Sequence, residues 1–229
     1  MKINLINRKC QICEKSFDAF PELIPDIDPI VNKEDIIKFW TGFSKFNVFF
    51  PYFRCKCGFL YNKLFPDNES LINLYSNQKD NIISGDYNLD IKTKKYYLTQ
   101  LKKFLLKKNI KILEIGADNG NFLKLIKNIN NDCELYAIEP NLNMIKNINL
   151  VANKTYNNIY EINDKIKFDL IIGIHVFDHI PNLNSYFNKL NKFLKKNGVI
   201  YGVVHNEGSL LSKIFKKRWP ALRLQHPHL

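Results

Sequence analysis

The chain has 229 residues, of which 45% are hydrophobic and 24% are charged, and its formal net charge is +12. This length predicts one main domain plus a small appendage, and the composition is ordinary for a soluble globular protein. No apolar run approaches the roughly 20 residues of a membrane span. The N-terminus also lacks the apolar core of a signal peptide, so we expect a cytoplasmic protein without a membrane span.

The basic charge does not by itself indicate nucleic-acid binding. Its arginines are Arg8, Arg54, Arg218 and Arg223, and the rest of the basic count is lysine spread along the chain. Surfaces that read bases usually rely on the forked guanidinium of arginine. Nucleic acid is therefore an unlikely partner, although it is not excluded.

Residues 1–66 lack sustained periodicity and contain two cysteine pairs, Cys10-x-x-Cys13 and Cys55-x-Cys57. Four thiolates satisfy tetrahedral zinc, and a module with little core gains folding energy from such a site. Gly58, directly after the second pair, would let the backbone turn toward the sulfurs. We therefore predict a structural zinc site in a small ribbon-like module; the alternative is a set of buried thiols. The isolated Cys133 is expected to be packed in the core.

The next segments alternate between helix and strand. Residues 67–108 are predicted as a helical linker, with helices in "NESLINLYS" and "KYYLTQLKKFLLKK" and a loop at "GDYN". From residue 109 to 207 the predicted strands are "KILEIG", "ELYAIEP", "FDLIIGIHV" and "GVIYGVVH", and the predicted helices are "NFLKLIKNI" and "SYFNKLNKFLKKNG". Apolar strands alternating with amphipathic helices predict an α/β fold, a parallel sheet covered by helices on both faces.

The turn after the first of these strands, "EIGADNG", resembles a nucleotide-binding loop but departs from the dinucleotide and P-loop fingerprints. Glu114 stands two residues before Gly116, and Glu139 ends the next strand. A carboxylate at the second position suits a ribose diol. An acid just before the loop suits a cationic group and would repel a pyrophosphate. S-adenosylmethionine (SAM) combines a ribose with an ammonium group and carries no phosphate.

At this point the sequence resembles the class I SAM-dependent methyltransferases, over about residues 109–207. Their first motif stands here as "EIGADNG", their second acid as Glu139, and their fourth-strand motif as "FDLIIGIHVFDHI". The resemblance implies a Rossmann-like fold and a cofactor site formed by Glu114, Gly116, Ala117, Asp118, Gly120, Glu139 and Pro140. Asp118 would receive the ammonium group or cap the following helix. The residue recognising adenine should lie near Asn157 and Asn158.

Some deoxysugar methyltransferases carry a similar cysteine-rich segment before the same catalytic fold. The resemblance therefore favours a small-molecule acceptor, such as a sugar, a sugar nucleotide or a surface-glycan precursor. Two alternatives remain open: an RNA methyltransferase that grips RNA with its zinc module and lysines, and a non-catalytic binding protein.

Three histidines are candidate bases or acceptor contacts, because imidazole exchanges protons near neutral pH. His175 and His179 flank the end of "FDLIIGIHV", and His205 ends "GVIYGVVH". The alternative for His179 is that it only orders its loop. Residues 218–229, "RWPALRLQHPHL", resemble a stretch that helps line the acceptor side in related small-molecule methyltransferases. The resemblance therefore implies that the segment 208–229 lies on the acceptor side, with Arg218 and Arg223 suited to a phosphate or carboxylate; a solvated basic tail is the alternative.

The family fold implies a seven-stranded sheet. After "GVIYGVVH" the sequence offers a short helix near Leu210–Phe215 and then "RWPALRLQHPHL". We therefore expect an incomplete chain that lacks its last two strands, with Gly198–Val204 as an apolar, exposed edge.

Overall fold

The computed structural model describes residues 4–16, 20–25, 50–76 and 87–218. The chain forms two compact units. The first contains Met1–Leu74, His175–Phe187 and Val203–Leu229, and the second contains Tyr75–Ile174 and Asn188–Gly202. The first unit thus combines the cysteine-rich segment with two stretches that are distant in sequence. The four-part division of the chain by sequence stays a prediction.

The first unit has short strands in its N-terminal part. They are β1 (Leu5–Asn7), β2 (Tyr52–Arg54), β3 (Leu60–Asn62) and β4 (Leu64–Pro66), followed by helix α1 (Asn68–Ser76). The pairs β1–β4 and β2–β3 are antiparallel. Strands of three residues are too short to produce a sustained period in the sequence, although they bury large side chains such as Tyr61 and Phe65. The stretch of sequence before β2 is rich in aromatic residues, and of these Phe43, Phe46 and Phe49 lie outside the described residues.

The remaining elements alternate as the sequence predicts. They are α2 (Tyr87–Leu105), β5 (Lys111–Ile115), α3 (Asn121–Ile129), β6 (Glu134–Ile138), α4 (Leu142–Ile148), β7 (Lys154–Tyr156), β8 (Phe168–Ile174), α5 (Leu183–Phe193), β9 (Leu194–Val203) and α6 (Leu210–Phe215). Within the part of the chain that the structure describes, 3-10 turns lie at Ile159–Glu161, Phe177–His179 and Lys216–Arg218. The helix predicted at 68–76 is confirmed. The predicted loop at 85–88 is wrong for Tyr87 and Asn88, which begin α2.

Within the described residues the largest sheet has five strands, in the order β7–β6–β5–β8–β9. β5 pairs in parallel with both β6 and β8, and β6 pairs in parallel with β7. The predicted α/β fold with a parallel sheet is therefore confirmed. The strand order reverses at β5, and in such sheets ligands bind at the carboxyl ends of the strands near this reversal.

The core of the second unit forms where the helices pack on this sheet. Leu101 and Leu105 of α2 and Ile126 of α3 are fully buried against it. Each such side chain contributes about 1.5–3 kcal/mol through removal of apolar surface from water. Cys133 is buried in the same core, as predicted. Ile129, the last residue of α3, is 43% exposed.

The helix predicted to end at Gly198 ends instead at Phe193, and the chain continues directly as β9. Gly198 is not a helix cap. A Cβ atom there would lie 2.8 Å from the Phe168 carbonyl oxygen, so the strand needs a residue without a side chain for this close approach. Within the described residues, β9 is an edge strand of the five-stranded sheet, and most of its residues are half-buried.

No helix within the described ranges is long and apolar enough to cross a membrane.

Candidate cofactor and metal sites

The loop between β5 and α3 adopts a left-handed backbone at three positions. The φ angles are +67° at Gly116, +48° at Asp118 and +75° at Gly120. Glycine reaches these angles without strain, and aspartate tolerates them better than most residues. Aspartate at position 118 is therefore compatible with the conformation of this loop. Its alternative role as a helix cap is wrong, because Gly120 is the N-cap residue of α3.

Most backbone N–H groups of this loop donate hydrogen bonds within the protein. Gly116 and Ala117 donate to the Ile138 carbonyl oxygen, and Gly120 donates to that of Ala117. Asp118 N donates to Glu139 Oε2 at 2.8 Å, and Asn121 N donates to Asn119 Oδ1 at 3.0 Å. A phosphate-binding loop needs such groups for its ligand. This loop is therefore not built to hold a pyrophosphate.

Glu139 is held in one orientation at the end of β6. Its Oε2 accepts from Asp118 N at 2.8 Å, and its Oε1 accepts from Asn141 N at 2.9 Å. The side chain is buried, and this burial raises the pKa of Glu139 to about 7, against the lowering effect of the two backbone hydrogen bonds. Each carboxylate oxygen keeps a second lone pair for a ligand hydroxyl.

Glu114 lies in β5 and is also buried, being 4% exposed. Its Oε2 has no hydrogen-bond partner among the described residues. Burial raises the pKa of Glu114 well above its usual value; Lys94 opposes this shift, while Asp118 and Glu139 add to it. Asp118 and Glu139 thus disfavour the charged form of Glu114, whose Oε2 is buried without a hydrogen-bond partner among the described residues. A cationic group of a ligand would offset this repulsion and pair with that oxygen.

Asn157 and Asn158, expected near adenine, are both tied to Glu161. Asn157 N donates to Glu161 Oε2 at 2.9 Å, and Asn158 Nδ2 donates to Glu161 Oε1 at 2.8 Å. The Asn158 side chain also caps the turn Ile159–Glu161. An adenine-binding role for either residue stays a prediction.

The four predicted cysteines come together in the first unit, and their sulfurs all lie within 4.8 Å of one another. Cys10 Sγ is 3.6 Å from Cys57 Sγ, and Cys13 Sγ is 3.4 Å from Cys55 Sγ. Zinc bonds of about 2.3 Å in a tetrahedron would set sulfurs roughly 3.8 Å apart. This group can therefore hold a metal ion.

Both cysteine loops turn through a left-handed residue directly after the second cysteine. These residues are Glu14, at φ +58°, and Gly58, at φ +94°. Gly58 N donates to the Cys55 carbonyl oxygen, and Glu14 N donates to that of Cys10. The predicted turn at Gly58 is therefore present, whereas the equivalent turn at Glu14 had no glycine to indicate it.

Of the three candidate histidines, the structure brings His175 and His205 into contact. Their rings stack with centroids 4.6 Å apart at an interplanar angle of 23°. His175 has φ +52°, an uncommon angle for a residue with a side chain, and its N–H donates to the Val203 carbonyl oxygen. His179 Nε2 lies 3.9 Å from Asp178 Oδ1, an ion pair only when the imidazole is protonated.

Sequence reasoning missed a cavity of about 590 Å³ in the first unit. Its walls combine two carboxylates, an arginine and two lysines with two leucines. The lining residues are Glu22, Leu23, Arg54, Leu60, Glu207, Gly208, Ser212, Lys213 and Lys216. Nothing in the spacing of these residues along the chain indicates that they meet. Arg218 is exposed beyond α6, and Arg223 lies outside the described residues.

Parts of this chain are similar to known proteins. The family described as "Methyltransferase domain" matches residues 89–229. An uncharacterized protein of Methanocaldococcus jannaschii is 33% identical over 114 residues, covering 49% of this chain and 48% of that protein. A ubiquinone biosynthesis O-methyltransferase of Pelagibacter ubique is 28% identical over 119 residues, covering 47% of each. The matched stretch thus spans about half the length of these curated relatives.

Among solved structures, the plantazolicin methyltransferase BpumL in complex with a pentazolic desmethylPZN analogue and SAH is similar with a TM-score of 0.50. The two chains are 20% identical, and the match covers 71% of this chain and 65% of that one. This likeness shows the fold. The family match extends over more than half of the chain and includes both buried acids, and on that basis the chain belongs to the methyltransferase domain family.

Proposed function

We propose that the protein binds SAM at the β5–α3 loop and transfers its methyl group to a small molecule. One observation carries this proposal: most N–H donors of the loop bond within the protein, and the buried carboxylates of Glu114 and Glu139 lie beside it. A dinucleotide or nucleoside triphosphate would need loop N–H groups that are free to bind its phosphates.

Each residue of the site has a distinct task in this proposal. Glu139, fixed by two backbone N–H groups, accepts hydrogen bonds from the ribose hydroxyls. The unpartnered Oε2 of Glu114 balances the ammonium group, with Asp118 beside it. Gly116, Ala117, Gly120 and Pro140 allow the backbone to approach the ligand closely. When bound, SAM supplies an electrophilic methyl group on a sulfonium.

We place the residues that bind the methyl acceptor, and that remove its proton, in the first unit. His205, with His175 stacked on it, is the proposed base or acceptor contact, and His179 is a further candidate. The cavity is the proposed acceptor site. Its Glu22 and Glu207 carboxylates can accept from hydroxyl groups, and Lys213 and Lys216 can pair with a phosphate or carboxylate. These groups support a sugar or sugar nucleotide as the acceptor.

The four-cysteine group is proposed to hold one structural zinc. Four sulfur ligands fill the tetrahedral shell and leave no position for a substrate. Phe53, Phe59 and Tyr61 pack around Cys10 and Cys55. The metal would therefore fold the module and take no part in methyl transfer.

The test is transfer of labelled methyl from SAM to two separate pools, one of sugar nucleotides and one of total RNA. We expect label in the sugar-nucleotide pool, and a large loss of transfer in His205→Gln with SAM binding retained. Label in RNA would support the alternative that the chain is an RNA methyltransferase. Binding of SAM without transfer to either pool would contradict the proposed acceptor class.

A further inference from the structure

Arg54, the residue before Cys55, uses all five of its guanidinium N–H donors. Nε and Nη2 donate to the Glu22 carboxylate at 2.6 and 2.7 Å. Nη1 and Nη2 donate to the Glu207 carboxylate at 2.9 and 3.1 Å. Nη1 also donates to the Gly58 carbonyl oxygen at 2.8 Å. Arg54 therefore has no N–H left for a ligand in the cavity that it lines.

The three partners of Arg54 belong to separate segments of the first unit. Glu22 precedes β2, Gly58 is the left-handed residue of the second cysteine loop, and Glu207 follows β9. The side chains of Arg54 and Glu207 are 34% and 36% exposed, so a single pair here would be weak. Two bidentate carboxylates on one planar fork add geometric specificity that a single surface pair lacks. Their hydrogen bonds raise the pKa of Arg54 and lower that of Glu22.

Glu207 stands two residues after His205, and the chain between them is part of a tight turn. Gly208 N donates to Asn206 Oδ1 at 3.2 Å, and Ser209 N donates to the Asn206 carbonyl oxygen at 3.2 Å. Ser209 then caps α6. Because this turn is short and hydrogen-bonded, fixing the Glu207 carboxylate restricts the backbone at His205, whose ring stacks on His175.

We propose that Arg54 is a positioning residue, which ties the second cysteine loop to the loop that carries His205. The link runs from the Gly58 carbonyl oxygen through the guanidinium to Glu207. The importance of the link for catalysis rests on the proposed function of His205. The restriction of the His205 backbone by Arg54 does not depend on that function, and it can be measured separately.

The test uses the ring-proton resonances of His175 and His205 in the full chain, assigned by His→Gln variants. Stacked rings shift each other's resonances away from those of free histidine. In Arg54→Met we expect both resonances to move toward the free values. Glu207→Gln should cause the same shift, and the double variant should add nothing, because both changes break one link.

Glu22→Gln is the matched control. It removes a carboxylate from the same guanidinium but keeps the bonds to Gly58 and Glu207, so the histidine resonances should stay in place. Unchanged resonances in Arg54→Met, or additive shifts in the double variant, would overturn the proposal. SAM titration of each variant separates the two ideas: if no variant binds SAM, the proposed function fails, while the resonances still decide the role of Arg54.

Discussion

Burial changes the protonation of the Glu139 carboxylate, which we propose binds the ribose of the ligand. Its pKa, raised to about 7, lies in the range where binding is usually measured. Only the ionised form accepts from both ribose hydroxyls without competing as a donor. A ligand that prefers this form becomes easier to bind as the pH rises toward the pKa of the free protein.

We therefore expect the affinity for S-adenosylhomocysteine to rise between pH 5.5 and pH 7 and to level off above about pH 7.5. Isothermal titration across this range measures it. In Glu139→Gln the affinity should be lower, and its rise around pH 7 should be reduced. A wild-type affinity that is flat from pH 5.5 to pH 8.5 would show that Glu139 does not receive the ligand through its charge.

The buried Glu114 carboxyl should favour binding of SAM and destabilise the folded chain when SAM is absent. Its pKa in the folded chain is raised above the unfolded value of about 4.3. The contribution of Glu114 to stability is then greatest below that value and is lost as the pH rises toward its folded-state pKa. Glu114→Gln avoids the buried charge, so at pH 8 without cofactor it should be more stable by about 1–3 kcal/mol.

Urea unfolding at pH 8 and at pH 4.5 checks this prediction, since the advantage of Glu114→Gln should shrink at the lower pH. SAM binding by the same variant should be weaker. A variant that is less stable than the wild type at pH 8 would mean that Glu114 is stabilised by a partner the structure does not show.

At the scale of elements, the β5–α3 loop depends on its second glycine. A Cβ atom at Gly120 would lie 3.2 Å from Ile148 Cα and 3.5 Å from Ile148 Cγ1, and φ is +75°. Gly120→Ala should therefore destabilise the chain by about 1–3 kcal/mol and weaken SAM binding. Circular dichroism of urea unfolding measures the first effect.

Gly58→Ala is the control for backbone strain alone, because φ is +94° there and no atom lies within 4 Å of the added Cβ. It should cost less than Gly120→Ala and leave SAM affinity unchanged. Equal costs for the two variants would contradict the close approach of α4 to the loop.

The two cysteine loops predict about one zinc per chain, measured by elemental analysis of protein purified without added metal. Replacing both Cys55 and Cys57 by serine should abolish it. Cys133→Ser is the matched control, because Cys133 lies in the second unit and a serine hydroxyl can keep its 2.9 Å bond to the Asn130 carbonyl oxygen. Full zinc in the double variant would defeat the proposed site.

Sequence periodicity predicts the parallel sheet well, because each strand is an apolar run and each helix has one apolar face. It misplaces the end of α5, since "FLKKNG" continues the helical pattern while Gly198 must pass close to the Phe168 carbonyl oxygen. The cysteine site is also predictable, because two spaced pairs carry a specific chemistry. Arg54 and its carboxylates are not, since three charged residues far apart in sequence give no pattern.

At the scale of the whole molecule, the two compact units are each built from segments that are distant in the sequence. Residues 1–74 share a compact unit with the segments after β8 and β9, where the candidate histidines lie, while the predicted SAM loop lies in the second unit. Local patterns predict elements, but the grouping of distant segments depends on side-chain pairs such as Arg54–Glu207. The residues proposed to bind SAM and those proposed to bind the acceptor thus belong to different units.

The central claim is that this chain binds SAM through the buried acids of the β5–α3 site. Isothermal titration of the full chain with SAM tests it most directly, with Glu139→Ala beside the matched control Glu134→Gln, which changes an acid at the opposite end of the same strand. We predict one site per chain, a loss of about 1–3 kcal/mol in binding for Glu139→Ala, and unchanged binding for Glu134→Gln. A folded wild-type chain that does not bind SAM, or equal affinity in Glu139→Ala, would contradict the claim.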